Sequence, residues 1–422
     1  MPIEKLPGRA LLPGLVNAHS HAFQRAIRAR TQWRAGQGDD FWSWRQQMYR
    51  AAATVSPDEL YAISRLCHLE MLRAGITSAG EFHYLHHGPG GERYRDRNEL
   101  ALRVVTAARD VGLRICLLRA VYARAGSTGE PSPAQQRFLD GSPDEALSAG
   151  EALRGFACGR PEITVGLAPH SVRALPRGWL GPLRDYAAAQ GMPIHMHVAE
   201  QPKEVEACVA EHSLRPVELC AAEGLLGDRF TAVHAIHLSE GEVRQLGGAA
   251  ANVCACPTTE RDLGDGVVPA DRLLAAGATL ALGTDGEGQI DLLEDARELD
   301  YHLRLSTGRR APLGPAGGGR DSLARRLFAA ATEGGARSLG LPVGALQPGV
   351  PADFFTVDLT DPSVAGAGED DLLAAIVFGL TPRAVREVAV GGRILVRDGR
   401  HPDEERIVAE GGLAMKTLWA RA

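Results

Sequence analysis

Lysine is almost missing from this chain: Lys5, Lys203 and Lys416 are the only ones among 422 residues, and arginine carries nearly all the positive charge. Basic residues (46) are outnumbered by acidic ones (52), a net charge of −6. That leaves no basic footprint for nucleic acid. Cysteine is sparse and odd in number: Cys67, Cys116, Cys158, Cys208, Cys220, Cys254 and Cys256 are scattered, mostly in apolar runs. This is the pattern of reduced, buried thiols in a cytosol rather than of a disulfide framework, and Cys254-x-Cys256 is too closely spaced for a zinc knuckle. No basic segment followed by an apolar stretch of signal length opens the chain, and no run reaches the ~20 apolar residues of a membrane span. A cytoplasmic protein without a membrane or nucleic-acid partner is expected.

What is present starts with Leu11-Leu12-Pro13-Gly14-Leu15-Val16-Asn17-Ala18-His19-Ser20-His21-Ala22-Phe23-Gln24, which reads as one short apolar strand ending in two histidines. Side chains two apart in a strand share a face, so His19 and His21 project together, about 6–7 Å apart along the chain. A polar and aromatic connection from Arg25 to Arg50 follows, holding three of the five tryptophans (Trp33, Trp42, Trp44), and reads as a covering loop. Apolar, β-branched runs then recur at Ile76–Tyr84, Leu113–Tyr122, Ile163–His170, Pro193–Val198, Thr231–His237, Ala249–Cys256 and Ala278–Asp285, separated by segments of helical periodicity. Eight such units predict an α/β protein built on a closed (β/α)8 barrel of the TIM type. After Asp285 the reading is helix over Leu292–Leu305 and Ser322–Leu339. Short strands then follow over Asp353–Asp358, Ala384–Val390 and Arg393–Arg397. The expected division is a barrel over 13–345 and a small β-rich, sandwich-like domain from 1–12 and 346–422, formed mainly by the C-terminal segment with its N-terminal part truncated.

His19, His21, Tyr84, His170, His195, His197, His234, His237 and Asp285 all fall at or just past the C-terminal ends of predicted strands, the face on which barrel enzymes build their sites. His19 and His21, a third imidazole from the strand holding His195 and His197, and the carboxylate of Asp285 make three nitrogens and one oxygen. With a position left for water, that is the open arrangement of a catalytic zinc. Such a site lowers the pKa of a bound water to about 7. Glu200, three residues past His197, is placed to shuttle protons, and His234 to polarise an atom gaining negative charge. No lysine lies between Lys5 and Lys203, which excludes a lysine-bridged metal pair; one divalent ion, zinc, is the expected cofactor, with a pair bridged by a carboxylate left open.

Pro13-Gly14-x-x-Asn17-x-His19-x-His21 with Asp285 resembles the amidohydrolase superfamily. A narrower resemblance, to the formimidoylglutamate deiminases, rests on five further stretches: His21-Ala22-Phe23-Gln24-Arg25-Ala26, Phe41-Trp42-x-Trp44-Arg45, Ala168-Pro169-His170-Ser171-Val172-Arg173, His197-Val198-Ala199-Glu200-Gln201 and Cys256-Pro257-Thr258-Thr259-Glu260. The resemblance implies His19, His21, His197 and Asp285 as metal ligands, and Glu200, His234 and Asp285 as catalytic groups. It also implies Gln24, Arg45, Tyr84, His170 and Arg173 as contacts to a dicarboxylate substrate, N-formimino-L-glutamate, hydrolysed to N-formyl-L-glutamate and ammonia in histidine degradation. His195 and His237 are then neighbours only, and a homodimer is expected. Two features depart from the family's pattern: only twelve residues precede Pro13, and Gly286-Glu287-Gly288-Gln289 follows Asp285 where Ser-His is usual. The alternative activity is deamination of a purine- or pyrimidine-type heterocycle, favoured if Arg45 and Arg173 point away from the pocket. A barrel that has lost catalysis is disfavoured because every required group is present.

Overall fold

The computed structural model describes residues 6–33, 41–126, 131–133 and 135–422. Its twelve described strands are β1 (Arg9–Pro13), β2 (Leu15–Ser20), β3 (Ile76–His83), β4 (Arg114–Val121), β5 (Ile163–Pro169), β6 (Ile194–Val198), β7 (Phe230–His234), β8 (Asn252–Ala255), β9 (Thr279–Leu282), β10 (Phe354–Asp358), β11 (Val385–Val390) and β12 (Arg393–Val396). Strands β2 to β9 lie side by side in chain order, each parallel to the next. They are apolar runs buried on both faces, as parallel strands under a ring of helices must be. The ring closes between β9 and β2 through one bridge. The Asp285 N–H donates to the His19 carbonyl (3.0 Å), and the His21 N–H donates to the Asp285 carbonyl (3.1 Å). The expected (β/α)8 barrel is therefore present, beside an antiparallel sheet in the order β1-β10-β11-β12, to which the C-terminal segment gives three of the four strands. Among the described residues no helix is long and apolar enough to cross a membrane, and no cysteine is paired.

The opening stretch, expected as one strand, is two strands in different sheets. Proline cannot donate within a ladder and is confined to edges, and Pro13 ends the edge strand β1. Gly14 then hands the chain from one sheet to the other: its N–H goes to the Asp353 carbonyl (2.9 Å), while Leu15 N–H goes to the Gly75 carbonyl (3.0 Å). A Cβ on Gly14 meets Thr77 Oγ1 at 2.1 Å. Gly14→Ala is therefore expected to cost about 1–3 kcal/mol by overpacking and to lower the melting temperature. Gly155→Ala, in the helix Pro143–Ala157 with nothing within 4 Å of the added carbon, is expected not to. Calorimetry on both variants checks this.

The second difference is the connection after β2. Ala22–Ile27 forms a tight 3-10 turn, and Phe41–Thr54 is an α-helix rather than a loop. Residues 34–40 and the side chains of Phe41 and Trp42 lie outside the described residues. The helical spacing of Trp44, Met48, Ala51, Ala52 and Val55 is the signal that the aromatic and polar composition concealed, and it turns Met48, Ala51 and Ala52 into the core. A C-terminal helix, Glu404–Arg421, packs on the helix Pro57–Arg73, with Arg65 paired to Glu410 at 2.8 Å.

Candidate functional site

The two imidazoles at the end of β2 meet the end of β6 and the residue past β9 at the C-terminal mouth of the barrel. One ligand atom from each of His19, His21, His197 and Asp285 lies within 4.8 Å of all the others, and all four residues are buried. His19 Nε2 and His21 Nε2 are 3.2 Å apart, and Asp285 Oδ1 is 3.3 Å from the first and 3.2 Å from the second.

The surroundings say which nitrogens are free. His21 Nδ1 donates to the Phe82 carbonyl (2.8 Å) and His197 Nδ1 to the His170 carbonyl (3.1 Å), so in each ring Nε2 is the nitrogen left to offer a lone pair to a metal. Lone pairs and a carboxylate aimed at one point repel unless a cation sits among them. The donor set therefore fits a divalent metal, and backbone carbonyls orient the ligand rings as partners of metal-bound histidines do. Burial pushes His19 down to about 3, against the pull of Asp285. Burial works against the charge of Asp285 too, but the bonded imidazoles prevail and hold it well below the usual carboxylate range.

His195 shares the strand face of His197 but lies deeper, its Nε2 on the Ser338 carbonyl (2.8 Å); His237 Nε2 meets the Asp265 carbonyl (2.9 Å). Neither joins the cluster. The remaining sequence-derived residues do reach the mouth: Gln24, Arg45, Tyr84, His170, Arg173, Glu200 and His234 line one cavity with His21, His197 and Asp285. His234 Nε2 faces Glu200 Oε1 at 3.7 Å and Asp285 Oδ2 at 3.9 Å. Burial disfavours the charged form of His234, but the carboxylates of Glu200, Glu260 and Asp285 raise it well above the ordinary imidazole value. Burial raises Glu200, partly offset by His234 and Arg173. Gln24 Nε2 donates to Tyr84 Oη (2.9 Å), and its buried Oε1 has no partner among the described residues. Arg45 Nε donates to Tyr49 Oη (2.5 Å), its guanidinium 5.0 Å from the ring centre.

Several residues at the mouth were not assigned to the site from the sequence. Trp44, Met48, Tyr49, Tyr122 and Phe138 supply the apolar wall. Glu204, fully buried, accepts the N–H groups of Ala199 (3.2 Å) and Glu200 (3.3 Å) and lies 3.9 Å from Arg173 Nε, so one carboxylate holds both the loop of Glu200 and a guanidinium. Where Ser-His was expected after Asp285, Glu287 accepts the Thr284 hydroxyl (2.9 Å), which in turn takes an N–H from Asn17 (2.7 Å). The departure thus ties the Asp285 loop back to β2. Five non-glycine residues at this face, Ala199, His234, Ala235, Asp285 and Glu287, have φ between 48 and 68. Left-handed backbone of this kind costs about 1–3 kcal/mol per residue and is retained where the surroundings impose it.

A family model for the amidohydrolase family matches residues 10–395. The chain belongs to the amidohydrolase family. It is 39% identical over 405 residues to formimidoylglutamate deiminase from Pseudomonas aeruginosa, covering 94% of this chain and 87% of that protein. It is 31% identical over 415 residues to a 5-methylthioadenosine/S-adenosylhomocysteine deaminase from Pelotomaculum thermopropionicum, covering 96% and 84%. Its fold is similar to the crystal structure of an amidohydrolase from Brucella melitensis, with a TM-score of 0.90, 34% identity, and coverage of 97% and 90%. Membership makes the chain a hydrolase acting on C–N bonds, and the cluster of histidines and aspartate at the barrel mouth is a donor set that could hold a metal ion.

Proposed function

We propose that this amidohydrolase hydrolyses N-formimino-L-glutamate to N-formyl-L-glutamate and ammonia, a step of histidine degradation, with one zinc ion held by His19, His21, His197 and Asp285. The observation that carries the substrate is the presence of two guanidinium groups, Arg45 and Arg173, in the cavity that holds the metal donors. A glutamate derivative has two carboxylates, and a planar guanidinium fork grips a carboxylate with two parallel hydrogen bonds. The identity to the Pseudomonas deiminase supports the same reading.

The ion, when bound, supplies Lewis acidity and an acidified water. The protein does the rest. Asp285 points Oδ1 at His19 and His21, leaving Oδ2 toward His234 to receive the proton of the attacking water. Glu200, buried and raised, holds a proton for the imino nitrogen that departs as ammonia. His234 presents Nε2 to the oxygen that gains charge. The unpartnered Gln24 Oε1 is an acceptor for the N–H of the formimino group, and Tyr84 and His170 close the wall beside it. With each arginine replaced singly by alanine, KM is expected to rise roughly ten- to a hundredfold with kcat little changed, the size of one lost charge-assisted contact of about 1.5–3 kcal/mol.

A second reading, a deaminase of flat heterocycles, is favoured by the aromatic wall of Trp44, Tyr49, Tyr84, Tyr122 and Phe138. Ammonia release by the zinc-loaded protein from formimino amino acids and from nucleobases and nucleosides decides between them. Turnover of formimino-L-glutamate above the rest is expected. Strong deamination of a heterocycle with none of formimino-L-glutamate reverses the assignment.

A further inference from the structure

One buried carboxyl at the site has no part in the reaction as derived above. Glu260, 2% exposed, lies in the helix Pro257–Leu263 that follows β8, on the side of His234 away from the cavity. Its Oε1 is 3.3 Å from His234 Nδ1 and also accepts the Cys256 N–H at 2.8 Å. A carboxylate accepting from an imidazole fixes the proton on the nitrogen it faces, which decides how the other nitrogen is presented. That other nitrogen, Nε2, is the one aimed at Glu200 and Asp285. The ring also stands on left-handed backbone, with φ of 68 at His234 and 53 at Ala235. Such a conformation persists because neighbouring contacts hold it, and Glu260 is the contact on the far edge of the ring.

We propose that Glu260 is a positioning residue: by accepting Nδ1–H it fixes the plane of the His234 ring, so that the opposite edge, Nε2, faces the reacting atoms. It is the arrangement by which a third group orients a catalytic imidazole, realised here from the first turn of a helix. The inference rests on the reading of His234 as the group that steadies the developing charge. The competing role for Glu260 is to satisfy the start of its own helix through Cys256 N–H, and the test separates the two.

In zinc-loaded protein labelled with ¹⁵N-histidine, the His234 signals are identified by their loss in His234→Gln. The Nδ1–H resonance is expected to survive in Glu260→Gln, whose side-chain oxygen still accepts, and to vanish or shift in Glu260→Ala. In turnover, Glu260→Ala is expected to lower kcat about 10–100-fold with KM little changed, and Glu260→Gln to restore most of it. In a His234→Gln background Glu260→Ala is expected to cost nothing further. Unchanged Nδ1 signals in Glu260→Ala, or an equal loss of kcat with and without His234, overturns the proposal and leaves a helix-terminal role. If formimino-L-glutamate proves not to be a substrate, the nitrogen spectra still decide this point, so the two failures are distinct.

Discussion

Asp285→Ala is expected to release no measurable ammonia, a loss of about 10⁴-fold or more, because a single side chain serves two purposes. It is the only anionic donor of the four that converge, 3.2–3.3 Å from both imidazoles of β2. It is also the carboxylate whose second oxygen faces His234 across the reaction space. Removing it leaves three imidazoles and no anionic donor, so metal content after dialysis is expected to fall along with activity. Atomic absorption beside a coupled ammonia assay reads both. Substantial turnover in an Asp285→Ala protein would mean that the anionic ligand lies elsewhere.

Glu200→Gln is the complementary case. Glu200 is not among the four convergent donors, so the variant is expected to bind the ion as the parent does. The glutamine cannot exchange the proton that the leaving nitrogen needs, and kcat is expected to drop about 10²–10⁴-fold with little change in KM. Metal retained with kcat lost, against metal and kcat lost together in Asp285→Ala, assigns proton transfer to one carboxylate and ligation to the other. Parental kcat in Glu200→Gln would remove it from the chemistry.

The barrel was legible because each strand announced itself as an apolar run and each polar group of interest fell at the end of one. The two-residue spacing of His19 and His21 placed them on one face, and the position of Asp285 just past the eighth run brought it to the same mouth. Strand parity fixes a face but not a depth, which is why His195 and His197 were indistinguishable from spacing: both point inward, and only one reaches the cluster. The helix Phe41–Thr54 was missed because tryptophans and arginines in quick succession read as a covering loop, although the three- and four-residue spacing of Trp44, Met48, Ala51, Ala52 and Val55 is helical. Glu204, and Glu260 at the end of a quoted stretch, were given no role of their own for a different reason. A carboxylate near the start of a helix is ordinarily solvated, and nothing local marks the two that tertiary packing buries against a backbone turn and an imidazole. Gly14 looked like part of a strand because the collision it avoids is with Thr77, on another strand altogether.

The seam between β9 and β2 has a consequence for how the molecule is assembled. The residue that bridges the seam, Asp285, is also the fourth donor, and beside it Asn17 and Thr284 are joined across 267 positions of sequence. A chain in which seven strands have docked holds three histidines in place and no counter-charge; the eighth completes wall and chelate in one motion. The full set of four donors therefore exists only in a closed cylinder, and metal content reads out closure of the wall.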